Sequence, residues 1–219
     1  MTTVVTFLVV IVGWIFSLCL HEFSHAVVAY YGGDTSVREK GYLTFNPLKY
    51  THPVYSILLP MIFLLLGGIG LPGGAVYIET WRLRSKRWES AVSLAGPASN
   101  LLLGGILSIF LHFAPASAGG IWPGLAFLAL LQVMAAVLNL IPVPPFDGYR
   151  VLAPFLGSNV RARIDQAGSL IMLLVFFVLW YVPFVSNILW SVVGWISVKL
   201  QIPLQLAMLG LSQFQFWRR

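Results

Sequence analysis

The sequence predicts an all-α polytopic membrane protein of about five to six transmembrane helices, with a short β-hairpin or re-entrant segment between the first and second full spans. Three observations predict it. Of 219 residues, 58% are hydrophobic and only 9% charged, where soluble domains carry roughly a quarter charged residues. The apolar residues form several separate runs, so they do not amount to one anchor on a soluble body. The basic residues cluster between those runs, at 38–49, 82–87, 150–163 and 218–219, as they do beside the cytoplasmic face of a membrane. A net charge of +6 would suggest nucleic acid in a soluble protein. Here the bilayer accounts for it, and nucleic acid is not expected as a partner.

Runs long enough to span occupy residues 4–30, 91–113, 121–141, 168–184 and 187–209. The first has no basic residue before it and no small-residue cleavage site with a polar domain after it, so it reads as a permanent helix rather than a secretory signal. A sixth run, 54–66, is shorter and ends in the glycine-rich LGGIGLPGG. Between 31 and 53 lies a polar stretch with strand and turn residues, GYLTFNP, which predicts a short hairpin. No separate soluble module is evident. The reading is one membrane domain over 1–219, with a core at about 4–152 and additional C-terminal helices at about 168–210.

The chemistry sits late in the first run, at His21-Glu22-Phe23-Ser24-His25. An i, i+4 spacing places both imidazoles on one helical face, one turn apart, where two nitrogens can reach a single zinc ion. Glu22 is turned about 100° round the helix, so it can reach a metal-activated water without itself binding the metal. Three ionisable groups within five residues would each cost at least about 2.5–3.5 kcal/mol in a hydrocarbon span, a cost that a bound metal and a neighbouring carboxylate offset. Cys19 is the single cysteine; it allows no intrachain disulfide and reads as a small apolar helix residue.

Zinc needs a third protein ligand, and the candidates are His52, His112, Asp34, Asp147 and Asp165. Asp147 stands out because NLIPVPPFDG ends a spanning run with Pro142, Pro144 and Pro145, which leave backbone carbonyls unpaired. Membrane interiors tolerate such a segment only where protein or a cavity satisfies it. A polar turn at the membrane surface is the competing reading.

HEFSH, then AGPASN, then NLIPVPPFDG resembles the site-2 protease family of intramembrane zinc metalloproteases, peptidase family M50, in its compact bacterial form without PDZ or CBS domains. There the motifs read HExxH, GPxxN and NxxPxPxxDG. The similarity covers residues 4–152 and includes GYLTFNPLKYTHP. It implies His21, His25 and Asp147 as zinc ligands, one Zn2+ per chain and Glu22 as the catalytic base. It also implies that Asn139 contacts substrate or stabilises the oxyanion, and that Gly96, Pro97 and Asn100 pack near the active helix. Two departures stand out. Gly148 is followed by Tyr149 where the family often has a second glycine, and His52 stands where compact relatives often have aspartate.

A shared metal requires His25 and Asp147 to meet at one membrane depth, so the first run and 121–141 must be parallel. Treating 54–66 as re-entrant makes them so; counting it as a full span does not. The re-entrant assignment also puts all four basic clusters on one side, which predicts an outside N-terminus, five spans and an active site towards the cytoplasm; the resemblance to compact bacterial members implies a bacterial plasma membrane. The β-prone AVYIE at 75–79 would return from the loop and offer an edge to an unwound substrate segment; a plain surface loop is the alternative. The expected function is hydrolysis of peptide bonds in or near transmembrane segments of membrane proteins. A membrane metal-ion transporter or a catalytically silent regulatory relative are the alternatives, and each fits less well with a glutamate beside the first ligand.

Overall fold

The computed structural model describes residues 2–46, 49, 76–115 and 119–218. Helix α1 is Thr2–Gly32, followed by the single turn α2, Ser36–Glu39. After a 3-10 turn at Thr80–Arg82 come α3, Lys86–Leu111, and α4, Trp122–Asn139. Short α5, Asp147–Leu152, leads through a second 3-10 turn to α6, Ser158–Gln166. The remaining helices are α7, Gly168–Tyr181, α8, Pro183–Lys199, and α9, Leu204–Phe214. Helices α1, α3 and α4 are each long and apolar enough to cross a membrane, and α6 with α7, bent by 63°, could form a fourth span. The described residues form an all-α membrane protein.

Helix α4 is the centre of the bundle. It is hydrophobic all round, and of its residues only Trp122, Leu125 and Val137 escape full burial, the pattern of a helix enclosed by others. Helices α1, α3, α8 and α9 surround it. Lipid tails are as apolar as leucine, so close backbone approach at small residues, rather than a hydrophobic drive, holds such helices together. Gly13 faces Leu128, Gly124 faces Val9, and Gly104 faces Gln132 and Ala129. Gly210 of α9 lies against the Pro123 carbonyl so closely that a Cβ would collide with it.

These contacts also give the directions. Gly124 near Thr6 and Val9, with Gly13 near Leu128, makes α1 and α4 parallel. Gly32 against Trp88, with His25 bonded to Val92 and His21 to Asn100, makes α3 antiparallel to α1. Arg84 N–H donates to Gly32 O at 2.9 Å, so the chain leaves α1 and enters α3 at the same end of the bundle. Residues 54–66 themselves lie outside the described residues. The parallel pair that a shared metal requires is nevertheless present.

Two expectations are corrected, and a third, the hairpin, is not found among the described residues. In the expected hairpin, the described residues 33–46 hold α2 and turns with no strand. The Asp34 carboxylate accepts from both Ser36 N–H and Ser36 Oγ, which closes a local turn in place of a ladder. The run 187–209 is two helices rather than one, because Gln201 takes φ 57° and Pro203 has no N–H to continue α8. The C-terminal turn, finally, does not join the other basic clusters. Thr6 Oγ1 donates to Gln213, and Phe7 packs on Phe214 and Phe216, so the chain ends beside the start of α1, at the end opposite the site. Lys199 also lies away from the site; its ammonium sits 6.0 Å from the Trp195 ring centroid.

Replacing Gly210 by alanine is expected to destabilise the bundle by about 1–3 kcal/mol, because a backbone carbonyl cannot yield as a side chain can. A lowered unfolding midpoint in detergent would register it; an unchanged midpoint would show that α9 adds nothing to the core.

Candidate metal centre

The floor of the site is one turn of α1. His21, Glu22 and His25 are all buried, and α3 receives them because Gly96 has no side chain. A Cβ there would lie 2.5 Å from His21 Nε2 and nearer still to His25 Nε2. The glycine of AGPASN is therefore the space the imidazoles occupy.

Each ring is held by its other nitrogen. His25 Nδ1 lies 2.7 Å from the Val92 carbonyl, which can only accept, so the proton is on Nδ1. His21 Nδ1 lies 2.6 Å from Asn100 Oδ1, while Asn100 Nδ2 donates to Gln132 Oε1 at 2.8 Å. That orients the Asn100 amide with its oxygen towards His21 and assigns the His21 proton to Nδ1 as well. Both Nε2 lone pairs then point into the same space, 3.0 Å apart.

Asp147 closes that space. The proline-rich turn after α4 contains a cis Pro144–Pro145 bond. It delivers the first residue of α5 so that Asp147 Oδ2 lies 3.2 Å from His21 Nε2 and 3.4 Å from His25 Nε2. Gly148 permits this approach: a Cβ there would collide with the Leu140 and Ile141 carbonyls. Three lone-pair atoms thus converge with no hydrogen between them, and only a cation or an added proton resolves their mutual repulsion. A tetrahedral ion with ligands at about 2.0–2.1 Å would space them about 3.3–3.4 Å apart, close to the observed 3.0, 3.2 and 3.4 Å. His21, His25 and Asp147 could therefore hold a metal ion.

The remaining candidates lie elsewhere. Asp34 is occupied by Ser36 and by Glu79 N–H. Asp165 accepts from the Tyr149 hydroxyl at 2.7 Å, and His112 bonds Ser108 O and Gln201 at the far end of α3. His52 lies outside the described residues. Glu22 and Asn139 line one cavity of about 170 Å³ with the three metal-competent residues. Glu22 Oε2 accepts from Val76 N–H at 3.0 Å. Asn139 Nδ2 donates to Ala135 O at 3.0 Å, which leaves its second amide hydrogen for the cavity.

Val76 and Ile78 line this cavity, and residues 76–79 are pinned at both ends by buried carboxylates: Val76 N–H to Glu22 and Glu79 N–H to Asp34 at 2.7 Å. The Glu79 side chain also meets Lys40 at 2.8 Å and Arg82, and the Lys40 hydrogen bond, with Arg82 beside it, holds its carboxyl below the usual carboxylate range. Such surface pairs are screened by solvent and contribute little, so the buried pins set the segment's position. On the other wall, burial and then the Asp165 carboxylate push the Tyr149 hydroxyl up to about 12, which keeps it a neutral donor joining α5 to α6.

Gln132 and the Asp34 pin were not singled out from sequence. Gln132 could have been, because a glutamine inside an apolar run is a polar group that must find a partner. Asn100→Ala and Gln132→Leu are expected to keep the fold and to weaken metal retention about 10–100-fold, by freeing the His21 ring. Competition against a graded chelator series measures this; unchanged retention in both variants would show that the relay does not orient His21.

No solved structure matches this chain. The family model described as Peptidase family M50 matches residues 103–182. Rip2 of Mycobacterium tuberculosis is 44% identical over 215 residues, covering 96% of this chain and 81% of that protein. YwhC of Bacillus subtilis is 33% identical over 192 residues, covering 82% and 83%. Both carry the words zinc metalloprotease in their names, as does MJ0392 of Methanocaldococcus jannaschii, 29% identical over 166 residues and covering 72% and 40%. With nearly its whole length aligned to Rip2 and its central helices matched by the family model, this chain belongs to peptidase family M50.

Proposed function

We propose that the chain is an intramembrane zinc metalloendopeptidase that hydrolyses peptide bonds in or near transmembrane segments of membrane proteins. His21, His25 and Asp147 hold one Zn2+, and Glu22 is the general base. The observation that carries this is the convergence of three lone-pair atoms at tetrahedral spacing with a buried glutamate on the same helical turn. Zinc so held makes water acidic near neutral pH and polarises a carbonyl. Glu22 Oε2 is engaged by Val76 N–H, which leaves Oε1 to take the water's proton and pass it to the leaving amine. Asn139 offers its free amide hydrogen to the substrate carbonyl oxygen.

The membrane is proposed to be a bacterial plasma membrane, with the site towards the cytoplasm and the N-terminus outside. Supporting this, of the 13 basic residues all but Lys199 and the terminal arginines belong to segments at the site end of the bundle. The hydrogen bond between Arg84 and Gly32 supports α1 ending and α3 beginning on the same side of the membrane. A single membrane domain, with the core at about 4–152 and the later helices as additions, fits the central place of α4.

Residues 76–79 are proposed to receive an unwound substrate strand. Val76 N–H is taken by Glu22, Glu79 N–H by Asp34, and the Tyr77 carbonyl by Lys40 at 3.3 Å. Ile78 lines the cavity, and among the described residues no hydrogen bond occupies its backbone, which is proposed to pair with substrate.

Glu22→Gln should retain zinc by elemental analysis while losing cleavage of a transmembrane reporter by at least about 10²-fold, whereas His21→Ala should lose both. Proteolysis surviving in Glu22→Gln would remove the general-base assignment. Ile78→Pro should reduce kcat/KM about tenfold or more while Ile78→Val does not; equal activity in the two would leave residues 76–79 as a plain loop.

A further inference from the structure

A second cavity, of about 430 Å³, adjoins the metal centre and shares Val76, Ile78, Val92, Ser93 and Arg150 with it. Its charged groups are Glu89, Arg150, Arg161 and Asp165. Three of these satisfy one another. Arg161 pairs with Glu89 at 2.8 Å and lies 3.9 Å from Asp165, and Asp165 accepts from Tyr149. Arg150 lines both cavities and has no carboxylate partner among the described residues.

Its position makes that notable. Arg150 follows Asp147 by three residues on α5, a spacing at which opposite charges on a helix normally meet. Asp147 instead turns its Oδ2 to the histidines. The other ionisable groups of the catalytic cavity are Glu22 and the two neutral imidazoles. Once a divalent ion is bound, Glu22 and Asp147 balance its charge, and Arg150 leaves the cavity with a net positive charge. A guanidinium with no carboxylate partner among the described residues, at the junction of two cavities, is a fork for a carboxylate.

Resting on the zinc-peptidase reading above, we infer that Arg150 binds a carboxylate of the peptide chain. The carboxylate is either an acidic side chain flanking the scissile bond or the new C-terminus that hydrolysis creates. In the second case no further reactant is needed: water adds to the carbonyl carbon, the C–N bond breaks, and the acyl product leaves as a carboxylate.

The test uses the full-length protein in detergent or liposomes. One arm compares kcat/KM for transmembrane reporters with Glu, Gln or Lys scanned through the residues flanking the cleavage site, in wild type, Arg150→Gln and Arg150→Glu. If a side chain is read, at least one position shows a Glu-over-Gln preference of about tenfold in wild type, which disappears in Arg150→Gln and gives way to Lys in Arg150→Glu. The other arm measures inhibition by the N-terminal product as free acid and as C-terminal amide. If the new C-terminus is read, the acid inhibits about tenfold more strongly in wild type and no more strongly than the amide in Arg150→Gln. Zinc content is measured for every variant, so a lost preference with retained metal cannot come from a damaged centre. Reporters cleaved without charge preference, together with acid and amide inhibiting alike, overturn the inference for Arg150. A wild type that cleaves none of the reporters overturns the peptidase reading instead.

Discussion

Both imidazoles of the site spend their Nδ1 protons on fixed acceptors, His25 on the Val92 carbonyl and His21 on Asn100. Most of the architecture can be read as a consequence. With those protons committed, the two Nε2 lone pairs face each other at 3.0 Å, and the Asp147 carboxylate joins them. In a low-dielectric interior such an arrangement is unfavourable by itself. It persists because α3 supplies the two acceptors, because Gly96 supplies room, and because α4 and its proline turn supply the carboxylate. Each of these is a demand on a different part of the chain.

The demand on α3 explains its antiparallel run along α1, which places Val92 beside His25 and Gly96 and Asn100 beside His21. The demand on α4 explains its burial. A helix that must bring Asp147 to α1 at one depth has to lie parallel to α1 and against it, and its glycine contacts permit that approach. Gln132 extends the same logic inward: it holds Asn100, and Asn100 holds His21. Its Nε2 finds no partner among the described residues, a cost carried by the element that orients the proposed ligand.

The cavity walls are arranged by the same kind of buried anchor. Glu22 and Asp34 each accept a backbone N–H from residues 76–79, so the proposed base also positions the segment proposed to receive substrate. On the opposite wall, Tyr149, Asp165, Arg161 and Glu89 neutralise one another, and Arg150 is left over. What distinguishes Arg150 from Arg161 on this wall is that it has no carboxylate partner among the described residues.

Residue order was enough to read a membrane protein, because 58% hydrophobic content in separated runs has few other physical outcomes. It was also enough to pick out His21, Glu22 and His25, since an i, i+4 pair with an adjacent acid is a local property of one helix. Asp147 was legible as a candidate through its prolines and through resemblance, but its convergence with the histidines depends on contacts more than a hundred residues apart in sequence. Gln132 and the protons on Nδ1 that Val92 and Asn100 assign likewise depend on long-range contacts, between residues 32 to 79 apart. Sequence reading went astray where a short-range interaction competed with the pattern. Pro203 with Gln201 breaks the last apolar run. It also misplaced the C-terminus, because charge clustering carries no information about the packing of Phe214 on Phe7. Local periodicity and composition select helices and their chemistry, whereas the meeting of helix faces depends on small residues and buried partners that lie far apart in the chain.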